Sequence, residues 1–299
     1  MAKKLPLILG FLVVIGLLSW GFNSIIDGSA DEVVEPAPLV IVDDATIEAQ
    51  RATLAASTFG AGFGPQSPRD LESAAGVNQR LFETAPPSNE MNLCNIHFHE
   101  NAEHRGGQFT EYAGNGDGAG HGTGFRYTGE LTAAELAPYE GGEFGNDLGF
   151  GGLVPGDTIE THYVHSTAQV TPGPTLGSCL SDSLINPQLR VETQVYVLVN
   201  DGGADFLNLT EVGTVNGFAQ ALNIPSDTGT PIEYAGSTTG PGFNETGSPL
   251  QVSWSVRPGV IKVDISTVEA WFADNVFAET YAHGVRNLVT NPDLLSPIG

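Results

Sequence analysis

From about residue 61 onward the chain is cut into short apolar runs by clusters of Gly, Pro, Asn and Asp, and that punctuation limits the possible folds most sharply. There are 38 glycines and 19 prolines. In a helix interior each glycine costs about 1 kcal/mol relative to alanine, and each proline about 3 kcal/mol. The intervening runs have strand length and are rich in β-branched and aromatic residues. "NLCNIHFH", "TIETHYVHSTAQV", "RVETQVYVLVN", "LQVSWSV" and "VIKVDI" are the clearest of them. The chain therefore reads as mostly β with a few short helices. "STVEAWFADNVFAETY" (266–281) has helical periodicity, with Ser266 as N-cap and Glu269 completing a capping box. "GNGDGAGHGTG" (114–124) reads as a long flexible loop, and "AELAPYEGGEFGNDLGFGGLVPGD" as an irregular surface insertion.

The ends of the chain suggest its compartment. Lys3 and Lys4 precede "LPLILGFLVVIGLLSWGF", an uncharged run that suits a secretory leader or, by its length, an uncleaved membrane anchor. Residues 1–30 thus read as signal peptide or anchor, 31–60 as an acidic tether with a short N-terminal element, and 61–299 as one domain. Either N-terminal reading exports the body of the protein, to the periplasm or to a periplasm-facing membrane surface. Two cysteines in an oxidising compartment, Cys94 and Cys179, point to one disulfide, with two buried free thiols as the alternative. The formal charge of −24 excludes nucleic acid as a partner, because its phosphates would be repelled. With only Lys3, Lys4 and Lys262 as lysines, no basic surface for lipid headgroups exists either. Such a charge is that of a solvated acidic shell. Oligomeric state is not readable.

Three of seven histidines fall in "CNIHFHENAEHRGG" (94–107). His97 and His99 are two apart on a strand, so both imidazoles face one side while Ile96 and Phe98 face the other. A second strand carries Glu160, His162 and Val164 on one face and His165 on the opposite one. If the two strands are neighbours, His97, His99 and His162 can converge on one ion. Three neutral imidazoles with an open fourth position are what a catalytic zinc needs. Glu160 is placed to accept the second N–H of a ligand histidine. His-x-His by itself is common and frequently incidental; the second histidine strand is what makes the pattern specific.

"HFHENAEH" followed by "ETHYVH" resembles the α-type carbonic anhydrase site, and "YAGSTTGP" (234–241), "VSWSV" (252–256) and "QSPRDL" (66–71) are similar to further segments of it in the same order. Taken together the chain most resembles the bacterial δ class, from residue 66 to about 290. The resemblance implies a large, mainly antiparallel twisted sheet with short peripheral helices and a zinc cofactor. It implies reversible hydration of carbon dioxide to bicarbonate and a proton by a zinc-bound hydroxide. Position by position, it makes His97, His99 and His162 the metal ligands and Glu160 the group that orients one of them. Thr239 would accept the hydroxide's proton and pass its own hydrogen bond to Glu103. Val164 and Trp254 would line the carbon dioxide pocket, and His104 and His165 would be structural.

Two departures from the family pattern stand out. Thr238 occupies a position that is apolar in the family, and no histidine lies between Gln66 and His97, where α-type enzymes carry the proton shuttle. His121 is the candidate that the glycine-rich loop offers instead. Two rival functions follow from the same residues. "HFHENAE" and "PGDTIETH" also fit cupin motifs, in which Glu103 would be a metal ligand and iron or manganese the metal; that reading leaves "YAGSTTGP" and "VSWSV" unexplained. A non-catalytic carbonic anhydrase-like binding module is expected to have lost a ligand histidine, and all three are present.

Overall fold

β4, Thr158–Ser166, is buried along its whole length, on both faces, and the rest of the molecule is arranged around it. On one side it pairs antiparallel with β1, Asn92–Glu100; on the other it pairs antiparallel with β5, Leu189–Val199. The sheet continues through β9, Gln251–Asp264, to β8, Ile232–Ser237, giving the order β1-β4-β5-β9-β8. Only the β5/β9 pairing is parallel, so the sheet is mixed but mainly antiparallel. Two hairpins stand apart from it: β2, Phe109–Asn115, with β3, Thr123–Tyr127, and β6, Val212–Val215, with β7, Phe218–Ala221. The helices are short: α1, Asp44–Thr58; α2, Phe206–Leu209; α3, Ile265–Ala273. This computed structural model describes residues 40–80, 83–145, 151–238 and 242–298. The N-terminal leader or anchor reading lies outside the described residues, as does Thr239. Among the described residues no helix is long and apolar enough to cross a membrane.

The sheet separates two cores. Ile96 and Phe98 of β1 join Ile159 and Tyr163 of β4 on one face, where Phe206 of α2 and Trp271 of α3 cover them. Phe98 meets both aromatic rings at centroid distances of 5.7 Å, and each such buried side chain contributes roughly 1.5–3 kcal/mol. Val164, Val191, Trp254 and Val256 form the opposite core, together with the half-cystines. Both faces of β4 are covered, which is why its sequence lacks a polar-out alternation.

Several expectations from the sequence are revised. "LQVSWSV" and "VIKVDI" are a single strand, β9, with a register shift opposite Thr193–Val195 where Pro258 has no N–H to offer. Gln194 fills that gap by donating to Gly259 O at 2.7 Å. The helix within 266–281 ends at Ala273, and its N-cap is Asp264, whose Oδ1 accepts from both Ser266 N and Ser266 Oγ. It stops there because Asn275 Nδ2 takes the Trp271 carbonyl, while Glu269 accepts the Tyr139 hydroxyl instead of closing a capping box. The segment read as a flexible loop, 114–124, is the tip of the β2–β3 hairpin. Asp117 Oδ1 accepts the backbone N–H groups of Ala119, Gly120 and His121 at 2.8–3.0 Å. Gly120 has φ +123°, and a Cβ there would sit 2.8 Å from Val285 O, so only glycine fits this approach. The segment read as a surface insertion is partly anchored: Leu153 is core, and Tyr139 and Phe144 pack against it.

Cys94 and Cys179 form the expected disulfide, 85 positions apart in sequence. Closing a loop of that length stabilises the fold by roughly 4–5 kcal/mol in the chain-entropy account. The native protein should therefore resist alkylation until reductant is added. Denaturant melts with and without reductant should differ by about 2–5 kcal/mol; equal melts would show that the bond contributes nothing.

Candidate metal centre

The β1/β4 register sets His97 directly opposite His162 and His99 opposite Glu160. The ring centroids of His97, His99 and His162 lie 4.7–5.3 Å apart, and one nitrogen from each falls within 4.8 Å of the others. The remaining nitrogen of every ring is committed to an acceptor. His97 Nδ1 donates to Asn95 Oδ1 at 2.6 Å, His99 Nδ1 to Gly284 O at 2.8 Å, and His162 Nε2 to Glu160 Oε1 at 2.8 Å. These acceptors fix the tautomers. They leave Nε2 of His97, Nε2 of His99 and Nδ1 of His162 as lone-pair donors on the converging side.

Burial makes the same nitrogens available. It pulls the His97 imidazole well below its ordinary range, and repulsion from His162, His99 and His283 adds to the shift. Burial likewise brings His99 down to about 4, against the opposing pull of Glu103. Both rings are thus neutral at physiological pH, as ligation requires.

Glu160 is the hub beneath this cluster. Besides His162, it accepts His104 Nδ1–H at 2.7 Å on Oε1 and the His104 backbone N–H at 3.1 Å on Oε2. His104 Nε2 in turn takes the Tyr234 hydroxyl at 2.7 Å. Burial alone would raise the Glu160 carboxyl. The interaction with His104, which donates to it, and then that with His162 outweigh burial and hold the group well below the usual carboxylate range. The proximity of His104, Glu160 and His162 is accounted for by this hydrogen-bonded chain rather than by a second ion. His165 points to the other face, where its Nδ1 donates to Tyr163 O.

Glu103 is buried, with its oxygens 3.9 Å from His99 Nδ1 and His162 Nε2. Those nitrogens face away from the point of convergence, so the carboxylate stands behind the ligand rings, the wrong side for the cupin assignment. Val164, Trp254 and Thr238 line a cavity of about 770 Å³ together with the three histidines, and His121 lines it as well. Trp254 packs its ring 5.0 Å from that of His162 and donates Nε1–H to Ser237 O.

The sequence reading missed three contributors. Asn95 is two residues before His97 and follows the bulge at Cys94, so unbroken alternation sets both on one face; that spacing was a signal the sequence offered. Gly284 supplies only a carbonyl, which no side-chain pattern reveals. His283, with ring centroids 5.2 Å from His97 and 5.8 Å from His99, lies on an extended C-terminal segment without strand periodicity. Its Nε2 donates to Glu279 Oε2 at 2.7 Å.

The sequence profile of the family described as Delta carbonic anhydrase matches residues 88–267, which carry His97, His99, Glu103, Glu160 and His162. The chain belongs to the delta carbonic anhydrase family. It is a carbonic anhydrase, with carbon dioxide and bicarbonate as its substrate pair, and the histidine cluster can hold its metal. No curated protein sequence matches it significantly. Among solved structures it is similar to the α-carbonic anhydrase of Thermovibrio ammonificans in complex with sulfanilamide. That pair shares 17% identity over 75% of this chain and 84% of the other, with a TM-score of 0.27. It is also similar to the α-carbonic anhydrase of Photobacterium profundum, at 18% identity over 83% and 95% of the two chains with a TM-score of 0.27. A halotolerant carbonic anhydrase from Dunaliella salina matches at 15% identity over 80% and 87%, with a TM-score of 0.30.

Two measurements test this geometry. Asn95→Ala removes the acceptor that orients His97, and chelator competition should show metal affinity lowered by about 10–100-fold with the fold retained. Unchanged affinity would mean that Asn95 does not set the ring. The second concerns His165, which burial lowers to about 4. The unfolded chain therefore binds this proton more readily than the folded one. The stability of the neutral imidazole is complete above about pH 6.5 and is lost as pH falls through about 4, by up to about 1.4 kcal/mol per unit. Denaturant melts of wild type and His165→Gln should converge as pH drops from 7 to 4.

Proposed function

We propose that the metal is zinc, held by Nε2 of His97, Nε2 of His99 and Nδ1 of His162. The observation that carries this reading is the pairing of each imidazole's other nitrogen with an acceptor, which leaves three neutral nitrogen donors on one side. An all-nitrogen, three-histidine set with a free fourth position fits catalytic zinc. Bound there, zinc would supply a hydroxide nucleophile at neutral pH by lowering the pKa of water to about 7. Glu160, kept ionised by its histidine partners, would hold His162 in the tautomer that presents Nδ1.

The remaining roles belong to the chain. Glu103, buried behind the ligand rings, would accept the hydroxyl proton of Thr239. That leaves the Thr239 oxygen as an acceptor, so that the attacking oxygen is held with its lone pair turned toward the substrate. Val164 and Trp254 would give carbon dioxide an apolar wall, with Thr238 adding a hydroxyl where the family pattern has an apolar side chain. His121, which lines the cavity, would pass the released proton to solvent. We further propose that residues 1–30 act as a leader or anchor and that the domain works outside the cytoplasm.

Elemental analysis of the purified chain should find about one zinc ion, with His97→Ala, His99→Ala and His162→Ala each losing metal and activity. Zinc retained in His162→Ala would sink the ligand set. Thr239→Ala should keep zinc and fold yet lower carbon dioxide hydration by roughly 10²-fold, the scale of one preorganised hydrogen bond at a reacting centre. Glu103→Gln should behave alike, because its amide can donate to the threonine oxygen and reverse the orientation. A Glu103→Gln protein emptied of metal would instead make Glu103 a ligand.

A further inference from the structure

Four chain segments meet beside the metal cavity in a closed circuit of amide hydrogen bonds. Gln50 of α1 donates from Nε2 to Gly118 O at 2.7 Å, and the same carbonyl accepts from Asn244 Nδ2 at 3.1 Å. Asn244 Oδ1 accepts the backbone N–H of Asn287 at 2.8 Å, and Asn287 Nδ2 donates to Gln50 Oε1 at 2.6 Å. The circuit has one sense only. Exchanging O and N in any of the three side-chain amides would set acceptor against acceptor or donor against donor.

Each segment leads to a part of the site. Gly118 belongs to the Asp117-capped turn that carries His121. Asn244 lies in the turn next along the chain from the 234–241 motif, and Asn287 is three residues past Gly284, whose carbonyl holds His99. Gln50, Gly118 and Asn244 all line the metal cavity. α1 is otherwise loosely docked, burying only Ile47, Leu54 and Thr58. Its directional ties are polar: Arg51 Nε to Leu288 O and Ser57 Oγ to Glu245 O, in addition to Gln50. The helix precedes residues 88–267, so the family match assigns it no part in the reaction.

We propose that Gln50 is a positioning residue for carbon dioxide hydration, fastening the His121 turn and the Asn244 turn to one another and to the segment behind His99. The inference rests on this cavity being the reaction site. Apolar contact would hold α1 in place without fixing those turns, whereas a fully satisfied polar circuit selects one geometry. Loss of Gln50 frees the Gly118 carbonyl from α1 and leaves the buried Asn287 amide without its acceptor.

The test uses the full-length, metal-loaded protein. Gln50→Leu keeps the side-chain bulk and removes both bonds. Its kcat should fall about tenfold with KM within about twofold, the signature of lost positioning rather than lost binding. Metal content should match wild type, and the melting temperature should fall by no more than a few degrees, the cost of one unpaired buried amide. Backbone hydrogen exchange at Gly118–His121 and at Asn287 should quicken by about tenfold while β1 and β4 exchange as before. Asn287→Leu should give the same pattern, and the double variant should be no worse than the poorer single one, since both break a shared bond. Faster exchange with unchanged kcat would reduce the circuit to packing and overturn the proposal. So would a larger fall in melting temperature with faster exchange throughout. A wild-type protein with no carbon dioxide hydration would instead bring down the reading of the site itself, and the exchange pattern alone would not rescue the proposal.

Discussion

The antiparallel register of β1 against β4 is the constraint from which the metal centre follows. Because side chains alternate, a slip of one residue would carry His97 and His99 to the face now occupied by Phe98 and Tyr163. It would also bring Ile96 and Phe98 into the cavity. Both faces of β4 are buried, so no register with a misplaced polar set is cheap. The bulge at Cys94 is the device that reconciles the two ends of β1. It inserts one unpaired residue between Leu93, in the aromatic core, and Asn95, against His97. The extra residue is itself the disulfide's anchor, so the irregularity is covalently tied to the Leu176–Cys179 turn.

A site built this way faces a problem of buried charge. Glu103 and Glu160 are each about 1% exposed or less, close to rings that burial drives neutral. Glu160 is tolerated because three donors surround it, two imidazoles and a backbone N–H, and the Tyr234 phenol holds one of those imidazoles in place. Nearby stands Arg286, a buried guanidinium that desolvation brings down to about 10 while Glu103 pulls the other way. A carboxylate behind ligand imidazoles is more useful than one in front. Behind, it fixes tautomers and raises the basicity of the rings; in front, it would compete for the coordination position that the reaction needs open.

The strands with the clearest alternation were legible in the sequence, and so were the residues whose roles follow from alternation. His97, His99, His162 and Glu160 could be assigned to faces because a period of two reports direction without any knowledge of neighbours. Partners that reach the site across the fold could not be assigned in this way. Gly284 contributes a carbonyl and His283 stands on an unpatterned segment, whereas Asn95, in step with His97 beyond the bulge, was within reach of the same count. The glycine-rich stretch around His121 misled for a different reason. Glycine gives permission for unusual backbone angles, and a carboxylate such as Asp117 can use that permission to build a tightly bonded turn. The end of α3 was misjudged because Asn275, a good capping side chain, follows the last helical turn and removes its carbonyl.

The charge of the whole chain bears on the reaction in a way that the pocket alone does not. Thirty-five acidic residues against 11 basic ones give a field that repels anions at long range. Carbon dioxide is neutral and crosses such a field without cost, whereas bicarbonate is repelled by it in either direction of the reaction. Salt screens this field within about 10 Å at 0.1 M, so its influence ends near the rim. Inside the cavity the work of selection therefore falls to short-range contacts: the apolar wall of Val164 and Trp254, and the hydrogen-bonded turns beside it.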